Sequence, residues 1–429
     1  MKLWDKGFES HVNIERFTVG NDRVYDLKLA KYDIQGNKAH AQMLQKIGIL
    51  SEHELADILN GLSEIEKTIQ EGTFTIEDDF EDVHSKIEHE LTRKIGEAGK
   101  KIHTARSRND QVLLDLQLYF KDEINQIKEL VKELFATLLL LSDKHKNELM
   151  PGYTHFQLAM PSSFGLWFSA YAESLIDDIR SLNLAYKISD QNPLGSAAGY
   201  GTSFPIDRAM TTSLLEFETM KFNVIAAQMG RGKIEKTIAF ALSSVAATLS
   251  KMSSDVCIFM NQGFNFLGFA KEFTTGSSIM PHKQNPDVFE LIRAKSNKIQ
   301  SLPLEIMLIT NNLPSGYHRD YQILKASIMD AIEQLKEVLA LSNFMINKLE
   351  IKKDILSKKE YDNLFSVEEV NKLVMKGIPF REAYKIVGKD IMEGNFKPQK
   401  LINHTHQGSI GNLCLQEIQS KFDAAFEPK

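Results

Sequence analysis

"KIEKTIAFALSSVAATLSKMSSDVCIFMNQ", residues 233–262, is the stretch on which the fold turns. No glycine or proline interrupts it, and its residues are apolar or small nearly all the way round a helix. Such a helix needs neighbours on most of its sides to keep that surface from water. The stretch predicts a long helix buried among other helices.

The pattern repeats outward from there. Neither glycine nor proline occurs between Gly99 and Pro151, or between Gly316 and Gly377. In the first of these gaps Val112, Leu116, Phe120, Ile124, Ile127, Leu130, Leu134, Leu138 and Leu141 recur at three- and four-residue spacing. That is one apolar stripe on a helix of about eight turns, roughly 45 Å long. Breaker-free segments at 166–191 and 287–302 bring the set to five long helices joined by short loops, the pattern of a bundle. Short strands do not alternate with helices, which excludes a doubly wound sheet. The expectation is an all-α chain in three parts: a small helical domain over 1–106, a long-helix bundle over 107–350, and a small helical domain over 351–429. The first and last parts are expected to hold shorter helices. Helices this long and apolar call for partners from other copies, so a closed homo-oligomer is expected.

Composition narrows the function. Of 429 residues, 43% are apolar and 25% charged, the balance of a soluble globular protein. The net charge of -6 argues against a nucleic-acid surface, which needs a basic excess. Two cysteines, Cys257 and Cys414, offer neither a disulfide framework nor a metal cluster, and fit a reducing cytosol. "MKLWDKGFES" lacks a signal-peptide core, and "LFATLLLL" at 134–141 is too short to span a bilayer. No H-E-x-x-H and no Cys/His pair at ligand spacing occurs, so no metal is expected.

The chemistry is expected in the polar loops. "GSSIMPHKQNPD" at 276–287 is a poor helix and a poor strand. Asn285 followed by Pro286 suits a helix start, whose N-terminus favours an anion, with Lys283 close by; a cap beside a solvated lysine is the plainer reading. "HTARSRNDQV" at 103–112 places two arginines, suited to carboxylates, where a long helix begins. Asp110 there could simply complement the helix dipole. "MPGYTHFQ" at 150–157 sets Thr154 and His155 between two long helices. A lone histidine is more often structural, yet histidine is also the usual acid/base at neutral pH. "NPLGSAAGYGTSFPIDR" at 192–208 and "GRGKIEK" at 230–236 fail the spacing of nucleotide loops. In "EDVHSKIEHELTRKI", Val83, Ile87, Leu91 and Ile95 form an apolar stripe flanked by His84 and Glu88.

Taken together these loops are a resemblance. "GSSIMPHKQNP" matches the G-S-S-x-M-P-x-K-x-N-P pattern of the fumarase/aspartase superfamily. "HTARSRNDQV", "MPGYTHFQ", "NPLGSAAGYGTSFPIDR" and "MKGIPFREAYKIVG" resemble segments of argininosuccinate lyases, from about residue 30 to 390. The resemblance implies a homotetramer whose helices merge into one central bundle, with each active site built from loops of three subunits. It implies reversible β-elimination of argininosuccinate to arginine and fumarate, without a cofactor.

By position in the motifs, Ser277 would be the carbon base and His155 the acid. Lys283 and Asn285 would hold the carboxylate on which charge builds, and Glu290 would raise the basicity of His155. Ser107, Arg108, Asn109 and Thr154 would bind substrate, as would Tyr317, Gln322 and Lys325 in "GYHRDYQILK", with His84 and Glu88 beside the pocket.

The chain departs from the family at several points. Asn37 stands for a serine, Ala105 for a glycine, and "MGRG" at 229–232 keeps only Arg231 of an S-D-R-D run; Ile323-Leu324 replaces an acidic pair. Asp22 falls near the place of an N-terminal substrate serine. A sister lyase acting on adenylosuccinate or aspartate, and a catalytically silent structural relative, are the alternatives.

Overall fold

Helices dominate the computed structural model, which describes residues 11–427; the stretch 1–10, read above as lacking a signal-peptide core, lies outside them. In chain order the helices used below are α1 (Val12–Val19), α2 (Asp22–Lys46), α3 (Glu52–Gln70), α4 (Val83–Ile95), α5 (Arg108–Lys144), α6 (Phe164–Ser189), α7 (Lys233–Met260), α8 (Asp287–Ile299), α9 (Leu324–Ile346), α10 (Ser366–Met375), α11 (Phe380–Met392) and α12 (Leu415–Phe426). None of the described helices is long and apolar enough to cross a membrane.

The expected stripe lies on α5, a helix of 37 residues. Eight of its nine apolar positions are buried and Leu130 is half-buried, its place taken by Val131. On α7, Ile238, Leu242, Val245, Leu249, Met252 and Val256 are buried as expected, but Phe240 is 53% exposed, so its own chain leaves one strip of this helix bare.

Two expectations need correction. The first part of the chain is not made only of short helices: α2 runs for 25 residues and α3 for 19. Gly36 sits mid-helix because a Cβ there would lie 2.7 Å from Leu114 Cδ2 on α5; this glycine marks a close approach, not a break. The segment 287–302 is not one helix either. α8 ends at Ile299 and a separate helix, Leu302–Thr310, begins with a proline in its first turn.

Strands are few and short. Leu149–Thr154 (β1) and Gln157–Ser163 (β2) form an antiparallel hairpin with Thr154 opposite Gln157. Its turn residues His155 and Phe156 have φ of 54° and 56°, the left-handed pair that a tight hairpin demands. The stretch read as a plain loop between helices is thus a hairpin tip.

The chain forms two compact units. One comprises the described residues up to Ile127 with Ser181–Ser243 and Ile299–Gln334; the other comprises Lys128–Arg180, Ser244–Lys298 and the residues from Leu335 onward. The boundaries fall inside α5, α6, α7 and α9, so each of these helices supplies residues to both units. In the first unit Ile34, Met43 and Leu44 of α2 pack with Ile58 and Leu62 of α3 and Val83, Ile87 and Leu91 of α4. In the second, α10 and α11 close a small core on Val370, Ala383 and Val387.

Candidate active site

The first unit holds a cavity of about 250 Å³ lined by Asp22, Asp26, Asp82, Arg108, Tyr317 and Lys325, with His84, Asn109 and Gln322 among its other walls. Elements far apart in sequence meet here. Asp22 and Asp26 come from the first turns of α2, Asp82 precedes α4 as its N-cap and accepts the Ser85 N–H (2.9 Å), and Arg108 and Asn109 open α5. Gln322 is tied to the end of α1, donating to the Thr18 (2.8 Å) and Val19 (3.2 Å) carbonyls.

The cavity's cations are paired within the chain. The Lys325 ammonium lies 2.6 Å from both Asp22 and Asp26. Burial works against its charge, but Asp26 and Asp22 outweigh burial and hold its pKa above the ordinary lysine value. Arg108 donates to Asp82 (Nε, 2.7 Å) and lies 3.1 Å from Glu81. Arg106 is fully buried and donates to Asn37. The arginines read as suited to a ligand's carboxylate are held by groups of the protein.

Behind the cavity lies a buried group that sequence alone did not single out. His84 Nδ1–H donates to Asp33 (2.7 Å), and Asp115 stands 3.6 Å from the same nitrogen. Burial would strip the proton, yet Asp33 and Asp115 overcome it and push the His84 pKa up to about 9. Burial and the neighbouring Asp33 carboxylate push Asp115 the other way from an ordinary acid, far above its usual range. These three residues offer ligand atoms within 4.8 Å of one another, the one such trio among the described residues. The 2.7 Å His84–Asp33 separation is that of a hydrogen bond, so the group is built around a proton. Only long-range pairing reveals it, although Asp26 and Asp33 do stand seven apart on one face of α2.

The second unit carries the other expected residues. Thr275 and Asn285 pair as an antiparallel bridge that closes the neck of the 276–284 loop. Asn285 does not cap the helix; its side-chain amide donates to the Gly276 carbonyl (3.3 Å), and α8 starts at Asp287, whose carboxylate accepts the Thr275 hydroxyl proton. Inside the loop the backbone N–H groups of Ile279 (3.4 Å) and Met280 (3.1 Å) donate to Ser277 Oγ. Two donors on one hydroxyl oxygen favour negative charge there. Lys283 is exposed and makes no ion pair among the described residues. Thr154 and His155 at the hairpin tip and Glu290 on α8 are exposed, and His155 and Glu290 share no hydrogen bond within one chain.

Comparison with known proteins places this arrangement. A family described as Lyase matches residues 15–301. Argininosuccinate lyase of Bacteroides fragilis is 55% identical over 99% of this chain and 95% of its own length. The chain belongs to the argininosuccinate lyase family. The Thermotoga neapolitana member is 40% identical, covering 90% of this chain and 98% of its own. Among solved structures, a variant of EDDS lyase with bound fumarate matches with a TM-score of 0.76 at 21% identity, over 97% of this chain and 90% of that one. At that identity the likeness speaks for the helical fold.

The departures from the argininosuccinate lyase pattern have structural roles. Asn37 accepts from Arg106 and donates to Asp33 (2.7 Å), so it joins the buried His84 group. Ala105 has φ 65°, where the family's glycine would be unstrained. Arg231 pairs with Glu235 (2.7 Å) and donates to the Tyr321 carbonyl (2.7 Å), which fixes the segment carrying Gln322. Asp110, read as a dipole charge, accepts the N–H groups of Ser107 (2.8 Å), Gly195 (2.9 Å) and Ala197 (2.8 Å) and pins the glycine-rich loop to α5.

Proposed function

We propose that this chain is an argininosuccinate lyase, catalysing the reversible β-elimination of argininosuccinate to L-arginine and fumarate. The observation that carries this reading is 55% identity to a curated argininosuccinate lyase over nearly the full length of both chains.

Ser277 is the base in this reading. Its oxygen, held by the Ile279 and Met280 amides, takes the proton from the carbon beside the succinyl carboxylate. Charge moves onto that carboxylate, where unpaired Lys283 and the Asn285 amide receive it. His155 protonates the guanidino nitrogen as the carbon–nitrogen bond breaks. Ser107, Arg108, Asn109, Thr154, Tyr317, Gln322 and Lys325 bind the remainder of the substrate, with His84 behind them. No cofactor or metal has a part in this scheme.

His155 and Glu290 find no partner in each other within one chain, and Phe240 of α7, Leu291 of α8 and Ile279 in the loop are exposed apolar groups. Both observations favour a homotetramer whose sites combine loops of different subunits, with the parts 1–106, 107–350 and 351–429 arranged around a shared bundle. A cytoplasmic location accords with the biosynthetic chemistry.

The test is direct. Purified protein mixed with argininosuccinate is followed for fumarate in the ultraviolet, with Ser277→Ala beside it. Fumarate from the unaltered protein alone is the expected result. Fumarate only from adenylosuccinate or aspartate overturns the substrate; silence on all three leaves a structural relative.

A further inference from the structure

Subtracting the internal pairs from the first unit's cavity shows what it has left to offer. Lys325 is shared between Asp22 and Asp26, and Arg319 lies 3.0 Å from Glu81, which also receives Arg108. Asp26 has no oxygen to spare: one takes Lys325 (2.6 Å) and the other accepts the Val83 N–H (3.2 Å). Asp22 differs. One oxygen meets Lys325 at 2.6 Å, and the other has no partner among the described residues, in a side chain that lines the cavity. The groups left open are that carboxylate oxygen, His84 Nε2, the Asn109 side-chain amide and the Tyr317 hydroxyl.

A carboxylate oxygen only accepts, so its ligand must bring N–H donors and is best served by a cation. Resting on the reading above, argininosuccinate has two ends of unlike charge. The dianionic succinyl end needs a surplus cation, and the cavity's lysine and arginines are all compensated; Lys283 in the other unit is not. The zwitterionic amino-acid end fits the cavity, with its ammonium on Asp22 and its carboxylate on the Asn109, Tyr317 and His84 donors. Asp22 also occupies the first position of the 25-residue α2, where the helix dipole supports an anion. Burial pushes its pKa up to about 6, which still leaves it ionised at neutral pH.

We propose that Asp22 selects substrates bearing a free α-ammonium group and rejects their Nα-acylated counterparts. Acylation replaces a three-donor cation with a neutral amide that has one N–H and a carbonyl oxygen. That leaves the Asp22 oxygen unpaired in a largely buried site, the arrangement that discriminates most strongly between ligands.

The test is calorimetric titration of the purified protein with L-arginine and with Nα-acetyl-L-arginine, run beside the fumarate assay on the unaltered protein, Asp22→Asn and Asp22→Glu. The unaltered protein is expected to prefer L-arginine by about 100-fold, falling below about 5-fold in Asp22→Asn and largely kept in Asp22→Glu. KM for argininosuccinate in Asp22→Asn should rise about tenfold with kcat within about twofold, the mark of lost uniform binding. Equal affinity of the unaltered protein for both ligands, or for neither, overturns the proposal without any variant. A preference unchanged in Asp22→Asn also overturns it. Turnover of argininosuccinate without the preference refutes Asp22's role and leaves the lyase reading intact. The preference without turnover does the reverse.

Discussion

The cavity around Asp22 and the loop around Ser277 stand in contrast. In the cavity each lysine or arginine has its counter-charge in the same chain, and Lys325 is 4% exposed. The loop keeps Lys283 unpaired and exposed, with only backbone amides organising Ser277. A charge held in a buried network is part of the fold, because removing one partner strands the others. A charge held by an exposed loop is free of that duty and can answer to a ligand. The two regions divide stability from chemistry.

Substitution should expose that division. The largest effect expected is on turnover: Ser277→Ala lowers kcat by at least about a thousandfold, while the melting temperature and oligomer stay nearly unchanged. A variant oligomer that falls apart would make the loop structural and erase the contrast. Next come the two lysines, measured by denaturant unfolding and by steady-state kinetics. Lys325→Met leaves Asp22 and Asp26 uncompensated and should destabilise the fold by about 3–5 kcal/mol, whereas Lys283→Met should leave stability within about 0.5 kcal/mol and remove activity.

The buried His84 sharpens the comparison through pH. Its folded pKa of about 9 lies above the ordinary 6.5, so its contribution is complete below 6.5 and is lost as pH rises through 9. Thermal melts should therefore show a decline between those limits that flattens in His84→Asn; equal slopes would deny the imidazolium. The smallest effect concerns Ala105. At φ 65° it is strained, and Ala105→Gly should stabilise by about 1 kcal/mol in denaturant unfolding.

What the sequence disclosed follows from the range of each interaction. The helices α5 and α7 were readable because their apolar periodicity is local. α2 was not, since Gly36 looks like punctuation until the approach of Leu114 is seen. The hairpin tip escaped because His155 and Phe156 are unusual choices for left-handed turn positions. The motif loops were legible through family resemblance, and Ser277, His155 and Lys283 were named from it. The Asp22–Lys325–Asp26 triad and the His84 group join residues from opposite ends of the chain or from separate helices. No window of sequence brings such partners together.

The four helices that run through both units also restrict how this protein can change in length. One residue inserted midway along α5 would turn every later side chain on that helix by about 100° and advance it by about 1.5 Å. Val131, Leu134, Phe135 and Leu138, now buried, would swing away from the core while Lys132 and Glu133 swung toward it. Such a helix acts as a geared shaft: its teeth must stay in step along the whole length. Insertions and deletions in lineages related to this chain should accordingly gather in its loops, and the lengths of α5, α6, α7 and α9 should be its most constant dimensions.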